Sequence, residues 1–107
     1  MKRFGQVIGI KPEHIEEYTK IHADVWSGVL QKIEECNIRN YSIYRHGNLL
    51  FAYFEYHGDD FEADMAKMAA DETTQKWWDV CMPMQNPLED RAEGEWWKTL
   101  EEVFHAD

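Results

Sequence analysis

His22 is the residue whose type and position best suit proton-transfer chemistry. On a helical pattern it lies near the centre of an apolar stripe, with Tyr18 four residues before it and Trp26 four residues after it. An imidazole titrates near neutral pH, and its surroundings shift its pKa, so such a histidine can serve as a general acid or base. The alternative is a core histidine that bonds to a backbone carbonyl.

Aromatic side chains form the second group with chemical potential. Trp77 and Trp78 are neighbours on a predicted helix, so their side chains point about 100° apart, and one can pack the core while the other lines a cavity. Tyr41 and Tyr44 lie on opposite faces of a predicted strand, and residues 96–97 repeat the Trp-Trp pair. Aromatic walls with hydroxyl groups suit a neutral, polyhydroxylated ligand. For each aromatic residue, core packing is the alternative.

The sequence lacks the common motifs for binding metals or nucleotides and the motif of a serine nucleophile. No HxxH or HExxH spacing occurs, and neither Cys36 nor Cys81 has a second cysteine nearby, so we predict no metal. A P-loop, a G-x-G-x-x-G motif and a serine nucleophile elbow are also missing. These absences argue against a zinc site, a nucleotide-phosphate site and a serine nucleophile.

Charge and composition narrow the classes of partner. The chain has 107 residues, with 11 Lys and Arg against 21 Asp and Glu, which gives a net charge of −10. This balance argues against nucleic acid and against an anionic membrane surface, because both require positive charge. With 44% hydrophobic and 14% aromatic residues, the chain can form a core.

The cysteines and the apolar runs predict a cytoplasmic protein. Two cysteines suit a reducing compartment, although a single Cys36–Cys81 bridge stays open as an alternative. The apolar run at residues 4–10 is too short for a signal peptide, and the run at residues 49–54 is about a third of a membrane span.

Hydrophobic periodicity predicts a mixed α+β fold. We expect strands at residues 4–10, 39–45, 49–56 and 99–104, one long amphipathic helix at residues 12–35, a second helix after Asp60, and a third that starts at Asp71 and ends before Pro83. A turn at residues 46–48 joins the two middle strands. This order is the ferredoxin-like βαββαβ arrangement, an antiparallel sheet with helices on one face. Both faces of the strand at residues 49–56 are apolar, so its second face needs cover from a partner, and we predict a homodimer.

An ordered set of motifs runs through the chain: EYTKIH at 17–22, Trp26, NYSIY at 40–44, NLLFA at 48–52, QKWW at 75–78, Met84, Asn-Pro at 86–87 and LEEVF at 100–104. None of these motifs is specific alone. Together, in this order and at this spacing, they cover nearly the whole chain, which resembles the L-rhamnose mutarotase family.

The resemblance implies a homodimeric ferredoxin-like α/β barrel, with residues 1–107 forming one domain. It implies an isomerase that interconverts the α and β anomers of a 6-deoxy-hexose, in the first place L-rhamnose, by acid/base ring opening without a cofactor. The resemblance assigns the role of proton donor to His22. It assigns sugar binding to Tyr18, Tyr41, Trp77 and Trp78.

Three segments depart from the family pattern, namely residues 23–27, 88–94 and 96–97. They are expected at the rim of the pocket, so L-fucose is an alternative substrate. Two further alternatives belong to other classes. One is a dimeric α/β-barrel oxygenase or haem-handling protein with His22 as the haem ligand, and the other is a sugar-binding module without turnover.

Overall fold

One antiparallel sheet and four helices make up the chain. The computed structural model describes residues 1–107. In chain order the elements are β1 (Lys2–Ile10), α1 (Ile15–His22), α2 (Ser27–Glu35), β2 (Ile38–His46), β3 (Leu49–Tyr56), α3 (Phe61–Ala69), α4 (Glu72–Cys81), β4 (Gln85–Asn86) and β5 (Lys98–Thr99). Short 3₁₀ turns lie before α1 and after α4. None of the helices combines the length and the apolar content that crossing a bilayer requires.

Strand β1 lies at the centre of the sheet. The strand order is β2-β3-β1-β4, and β5 also pairs with β1. The long pairing of β1 with β3 runs from Lys2 opposite Tyr56 to Gly9 opposite Leu49. This connectivity confirms the predicted ferredoxin-like order of strands and helices.

The helices cover one face of the sheet, as predicted. Alternate side chains of β3 point to opposite faces. Leu50 on the covered face is buried, whereas Phe51 beside it is 37% exposed. The main core joins this face to the helices and contains eight buried residues: Ile8, Ile10, Tyr18, Val29, Leu50, Trp77, Cys81 and Met84.

The predicted turn and helix starts are confirmed. Gly47 has φ of +56° between β2 and β3, a backbone conformation that glycine adopts without a steric penalty. The side chains of Asp60 and Asp71 accept hydrogen bonds from the backbone N–H groups three residues later, so they are the N-caps of α3 and α4.

The prediction of one continuous helix over residues 12–35 is wrong. Helix α1 ends at His22, and α2 begins at Ser27 after a short non-helical segment. Asp24 and Gly28 are both weak helix formers that the hydrophobic stripe does not reveal. The absence of a side chain at Gly28 lets α2 approach α4 closely, because a Cβ atom there would lie 3.1 Å from the Thr73 methyl carbon.

The predicted final strand at residues 99–104 is wrong in its extent. Strand β5 has only two residues, and one further backbone hydrogen bond, from Leu100 N–H to Gly5 C=O at 2.8 Å, extends it. The last apolar residues, Val103 and Phe104, are exposed and find no layer of this chain to pack against. The fourth strand position is instead shared by β4 and β5, which pair with successive parts of β1 and are separated by residues 87–97.

Candidate active site

A cavity of about 520 Å³ is lined by residues of the sheet and of the helices. This volume is in the usual range for a small-molecule site. All five side chains predicted from the sequence line it, namely Tyr18, His22, Tyr41, Trp77 and Trp78. Most of the other lining residues are apolar, so the few polar groups are the ones that can orient a ligand.

His22 is the last residue of α1, and its two ring nitrogens have different surroundings. Nδ1 lies 2.8 Å from the carbonyl oxygen of Tyr18, so Nδ1 carries the proton in the neutral ring. Nε2 has no hydrogen-bond partner in the chain and keeps its lone pair. Burial lowers the pKa of His22, and the bond to the carbonyl opposes this only in part. The ring is therefore neutral at pH 7, with an acceptor nitrogen on a side chain that lines the cavity.

Tyr18 and His22 form a stacked pair one helical turn apart. Their ring centroids are 4.0 Å apart with an interplanar angle of 23°. The Tyr18 hydroxyl accepts a hydrogen bond of 3.1 Å from Nε2 of Gln85, and burial raises the pKa of Tyr18 well above its usual range. This hydroxyl is thus a hydrogen-bond donor rather than a phenolate at every physiological pH.

Tyr41 lines the cavity and lies beside an irregularity of β2. The pairing of β2 with β3 shifts between Arg39 and Ser42, and Asn40 has φ of +52°. Tyr41 lies two residues before Ile43, which pairs with the buried Ala52, so alternation places Tyr41 on the covered face. Its ring centroid is 5.6 Å from that of Phe54, whereas Tyr44 points away and is 68% exposed. Tyr41 is partly exposed as a whole, but the surroundings of its hydroxyl are desolvated, which raises its pKa to about 12.

The two tryptophans of α4 differ in burial. Trp77 is 7% exposed, and its ring meets those of His22 and Trp26 edge to face at centroid distances of 5.2 and 5.1 Å. Trp78 is 36% exposed and also borders a second, shallower pocket. Trp77 therefore fixes the orientation of the His22 ring, and Trp78 lies at the mouth of the cavity.

Gln85 was missed by the sequence analysis as a candidate site residue, although it is buried and lines the cavity. Its neighbours in sequence are apolar or turn-forming residues, so a short strand was not predicted there. The Oε1 atom of Gln85 accepts a hydrogen bond of 2.7 Å from the indole N–H of Trp96, which also lines the cavity. The side chain of Ile10 faces the core, and Gln85 lies opposite Ile10 in the sheet. Only this pairing could have revealed that the Gln85 side chain also faces the core.

No three His, Cys, Asp or Glu side chains lie close enough together to bind a metal ion. Cys81 lines the cavity as a free thiol, and burial raises its pKa to about 12. It is therefore a packing residue rather than a nucleophile at neutral pH. The polar side chains that line the cavity include one imidazole, two phenols, the carboxamides of Gln6 and Gln85 and the hydroxyl of Thr74.

Comparison with known proteins decides the family. A family model described as L-rhamnose mutarotase matches residues 3–106. The L-rhamnose mutarotase of Oceanobacillus iheyensis is 32% identical over 109 residues, which cover 100% of both chains. The chain belongs to the L-rhamnose mutarotase family. This is a family of isomerases, and the resemblance found in the sequence motifs is thereby confirmed.

Solved structures agree on the fold of this family member. The L-rhamnose mutarotase of Formosa agariphila matches with a TM-score of 0.77 at 23% identity, covering 100% of both chains. The tetracenomycin F2 cyclase of Streptomyces glaucescens matches with a TM-score of 0.73 at 16% identity, covering 100% of this chain and 98% of that one. The same fold therefore surrounds different chemistries, and the site residues must decide the function.

Proposed function

We propose that this mutarotase-family protein interconverts the α and β anomers of a 6-deoxy-hexose, and that L-rhamnose is its preferred substrate. The observation that carries the proposal is the neutral imidazole of His22 with a free Nε2 in an aromatic cavity. Ring opening requires a proton to leave the anomeric hydroxyl and a proton to reach the ring oxygen. Both oxygens are bonded to the same carbon, so one nitrogen can serve them in turn.

The proposed cycle begins with proton transfer to His22. Nε2 takes the proton of the anomeric hydroxyl, the bond between the anomeric carbon and the ring oxygen breaks, and the resulting imidazolium protonates the ring oxygen. The aldehyde group rotates, and the steps run in reverse to close the ring on its other face. His22 ends each turnover neutral, so its role as proton donor follows its role as acceptor. A general acid/base contribution of roughly 10²–10⁴ suits a reaction that also proceeds in water.

The other cavity residues bind and orient the sugar in this proposal. The Trp78 ring offers a face for the apolar C–H surface of the sugar, and Trp77 holds the imidazole in place. The hydroxyls of Tyr18 and Tyr41 stay protonated, so each can donate a hydrogen bond to a sugar oxygen on which negative charge develops.

A homodimer completes the proposal. The uncovered face of the sheet carries Tyr44 and Phe51, and the chain end beside β1 adds Val103 and Phe104, all of them exposed. An apolar surface of this kind marks an interaction site, and a second copy of the sheet would cover it. We also propose a cytoplasmic location, because both cysteines are free thiols.

Magnetisation-exchange NMR between the two anomeric protons tests the activity directly. We expect exchange to accelerate with enzyme concentration for L-rhamnose, with L-fucose and D-glucose as comparison sugars. His22→Asn should fold and lose most of the exchange, because asparagine cannot titrate near neutral pH. His46→Asn is the matched control, since His46 is exposed and does not line the cavity. Full anomer exchange in folded His22→Asn would contradict the mechanism. Faster exchange for L-fucose than for L-rhamnose would identify L-fucose as the preferred substrate.

Family membership favours the isomerase over the oxygenase or haem-handling alternative and over a binding module without turnover. Sugar binding without exchange would support the module. A Soret band that develops on addition of haemin and disappears in His22→Asn would support the haem alternative.

A further inference from the structure

A chain of two hydrogen bonds connects the loop before β5 to the aromatic pair of α1. The indole N–H of Trp96 donates to Oε1 of Gln85 at 2.7 Å, and Nε2 of Gln85 donates to the hydroxyl oxygen of Tyr18 at 3.1 Å. Gln85 is 5% exposed, so water competes little for either bond. This hydrogen-bond chain therefore ends at the hydroxyl group of Tyr18, one of the two phenols of the cavity.

The direction of this chain is fixed by its first member. An indole N–H can only donate, so the carboxamide atom that faces Trp96 is the oxygen, and the atom that faces Tyr18 is the amide nitrogen. An amide nitrogen only donates, so the Tyr18 oxygen accepts. The single proton of that hydroxyl must then point elsewhere, and no other group of the chain accepts it. The lining position of Tyr18 leaves the cavity as the place where an acceptor can bind.

The backbone holds Gln85 and Trp96, the donors of the two hydrogen bonds, in place. Gln85 lies opposite Ile10 in the β4–β1 pair, and opposite residues of an antiparallel pair point to the same face, which here is the core. The loop that carries Trp96 is fastened by Arg91, whose guanidinium donates to the carbonyl oxygens of Leu88 at 2.8 Å and Glu95 at 2.9 Å. The loop thus positions the indole without help from a ligand.

We propose that Gln85, fixed by Trp96, is a positioning residue that directs the hydroxyl proton of Tyr18 into the cavity, towards an oxygen of the bound sugar. This inference rests on the proposed function. It adds that the loop that carries Trp96 acts on the reaction through the orientation of one hydroxyl group rather than only as part of the wall.

A double-mutant cycle tests the proposal. Gln85→Met keeps an unbranched side chain of similar length but removes both hydrogen bonds, so the Tyr18 hydroxyl is free to rotate. We expect kcat/KM for anomer exchange to fall about tenfold in Gln85→Met and in Trp96→Phe, in keeping with the net strength of one buried hydrogen bond. In a Tyr18→Phe background, which has no hydroxyl to orient, Gln85→Met should have no further effect. Gln31→Met, at an exposed position of α2, is the matched control.

A pH profile separates positioning from structural support. In Gln85→Glu the ionised carboxylate still accepts from Trp96 but attracts the Tyr18 proton away from the cavity, whereas the protonated carboxyl can again donate to Tyr18. We expect kcat of Gln85→Glu to fall as the pH rises through the pKa of the new carboxyl group, a limb that the wild type lacks. In a Tyr18→Phe background Gln85→Glu should lack this limb, because no hydroxyl proton is present, and a limb of equal size there would contradict the proposal.

The indole ¹⁵N–¹H signal of Trp96 supplies a readout that does not depend on turnover. We expect slow hydrogen exchange in the wild type and fast exchange in Gln85→Met. A loss of kcat/KM of equal size in the wild-type and Tyr18→Phe backgrounds would overturn the proposal, as would an unprotected indole in the wild type. Absence of anomer exchange in the wild type with a protected indole would instead overturn the proposed function and leave the hydrogen-bond chain intact.

Discussion

Replacing Trp77 and Trp78 separately by alanine should affect different properties. The change at Trp77 should mainly lower stability, and the change at Trp78 should mainly weaken sugar binding. Trp77 is 7% exposed and belongs to the main core, where it contacts two aromatic rings edge to face. Trp78 is 36% exposed and lies at the mouth of the cavity. The two changes remove the same side chain from neighbouring positions of one helix, so each serves as the control for the other.

The expected costs follow from burial. Truncating a buried tryptophan removes about 3–5 kcal/mol from the free energy of unfolding. At about 4–8 °C per kcal/mol for a domain of this size, Trp77→Ala should lower the melting temperature by at least about 12 °C. Trp78 buries less surface, and water can fill the space it leaves at the mouth, so Trp78→Ala should cost about 1–2 kcal/mol. Trp77→Phe provides a folded variant if Trp77→Ala does not fold.

Sugar affinity should change in the opposite order. An aromatic wall contributes about 0.5–1.5 kcal/mol to stacking beyond its buried area, so Trp78→Ala should raise the Kd for L-rhamnose about 2- to 12-fold. Trp77→Phe should change this Kd less. Trp26→Ala serves as a further control, because Trp26 contacts Trp77 but does not line the cavity. Thermal melts and calorimetric titrations measure both quantities, and equal losses of both in the two alanine variants would refute this division of roles.

Three further predictions concern the imidazole, the sheet face and the packing of β4. Because burial lowers the pKa of His22, protonation should inactivate the enzyme only below the usual value near 6.5, so kcat/KM should have an acid limb with its midpoint below that value, and any residual rate of His22→Asn should lack this limb. Phe51→Glu places a charge on the uncovered sheet face, and sedimentation at micromolar concentration should then give the mass of one chain while the wild type gives two. In Gly9→Ala the new methyl group would overlap the backbone oxygen of Asn86, so we expect a loss of about 1–3 kcal/mol in chemical denaturation and slower anomer exchange, since β4 must move.

Local patterns in the sequence predicted most of the fold. The turn at Gly47, the helix start after Asp60 and the helix start at Asp71 depend only on residue type and neighbours, and all three are confirmed. The break between α1 and α2 was missed because the apolar stripe continues through it. Helix α2 begins anew at Ser27, and its Gly28 lies against Thr73, which is 45 residues away in sequence. A contact of this kind leaves no periodic signal.

In the candidate site, too, some residues could be predicted from local sequence patterns and others depend on contacts that are distant in sequence. His22 and Tyr18 could be paired from the sequence because they are four residues apart on a helix, and the structure brings them to a stacking distance of 4.0 Å. Tyr41 could be placed on the face of β2 opposite to Tyr44 by alternation, whereas the bulge beside Tyr41 was not predicted. Gln85 required knowledge of the sheet register, since a two-residue strand has no period of its own.

The divided fourth strand attaches both ends of one surface loop to the centre of the sheet. Strands β4 and β5 both pair with β1, at Gly9–Ile10 and at Gln6–Val7, so the loop between them begins and ends on the most central strand of the sheet. A loop anchored at both ends on a rigid strand can change its sequence without moving its ends. Trp96 near one end and Gln85 at the other therefore meet at a fixed distance, and their hydrogen bond orients Tyr18 beside His22. We therefore expect substitutions within residues 88–94 to alter the rim of the cavity, while the hydrogen bonds from Trp96 to Gln85 and from Gln85 to Tyr18 keep their geometry.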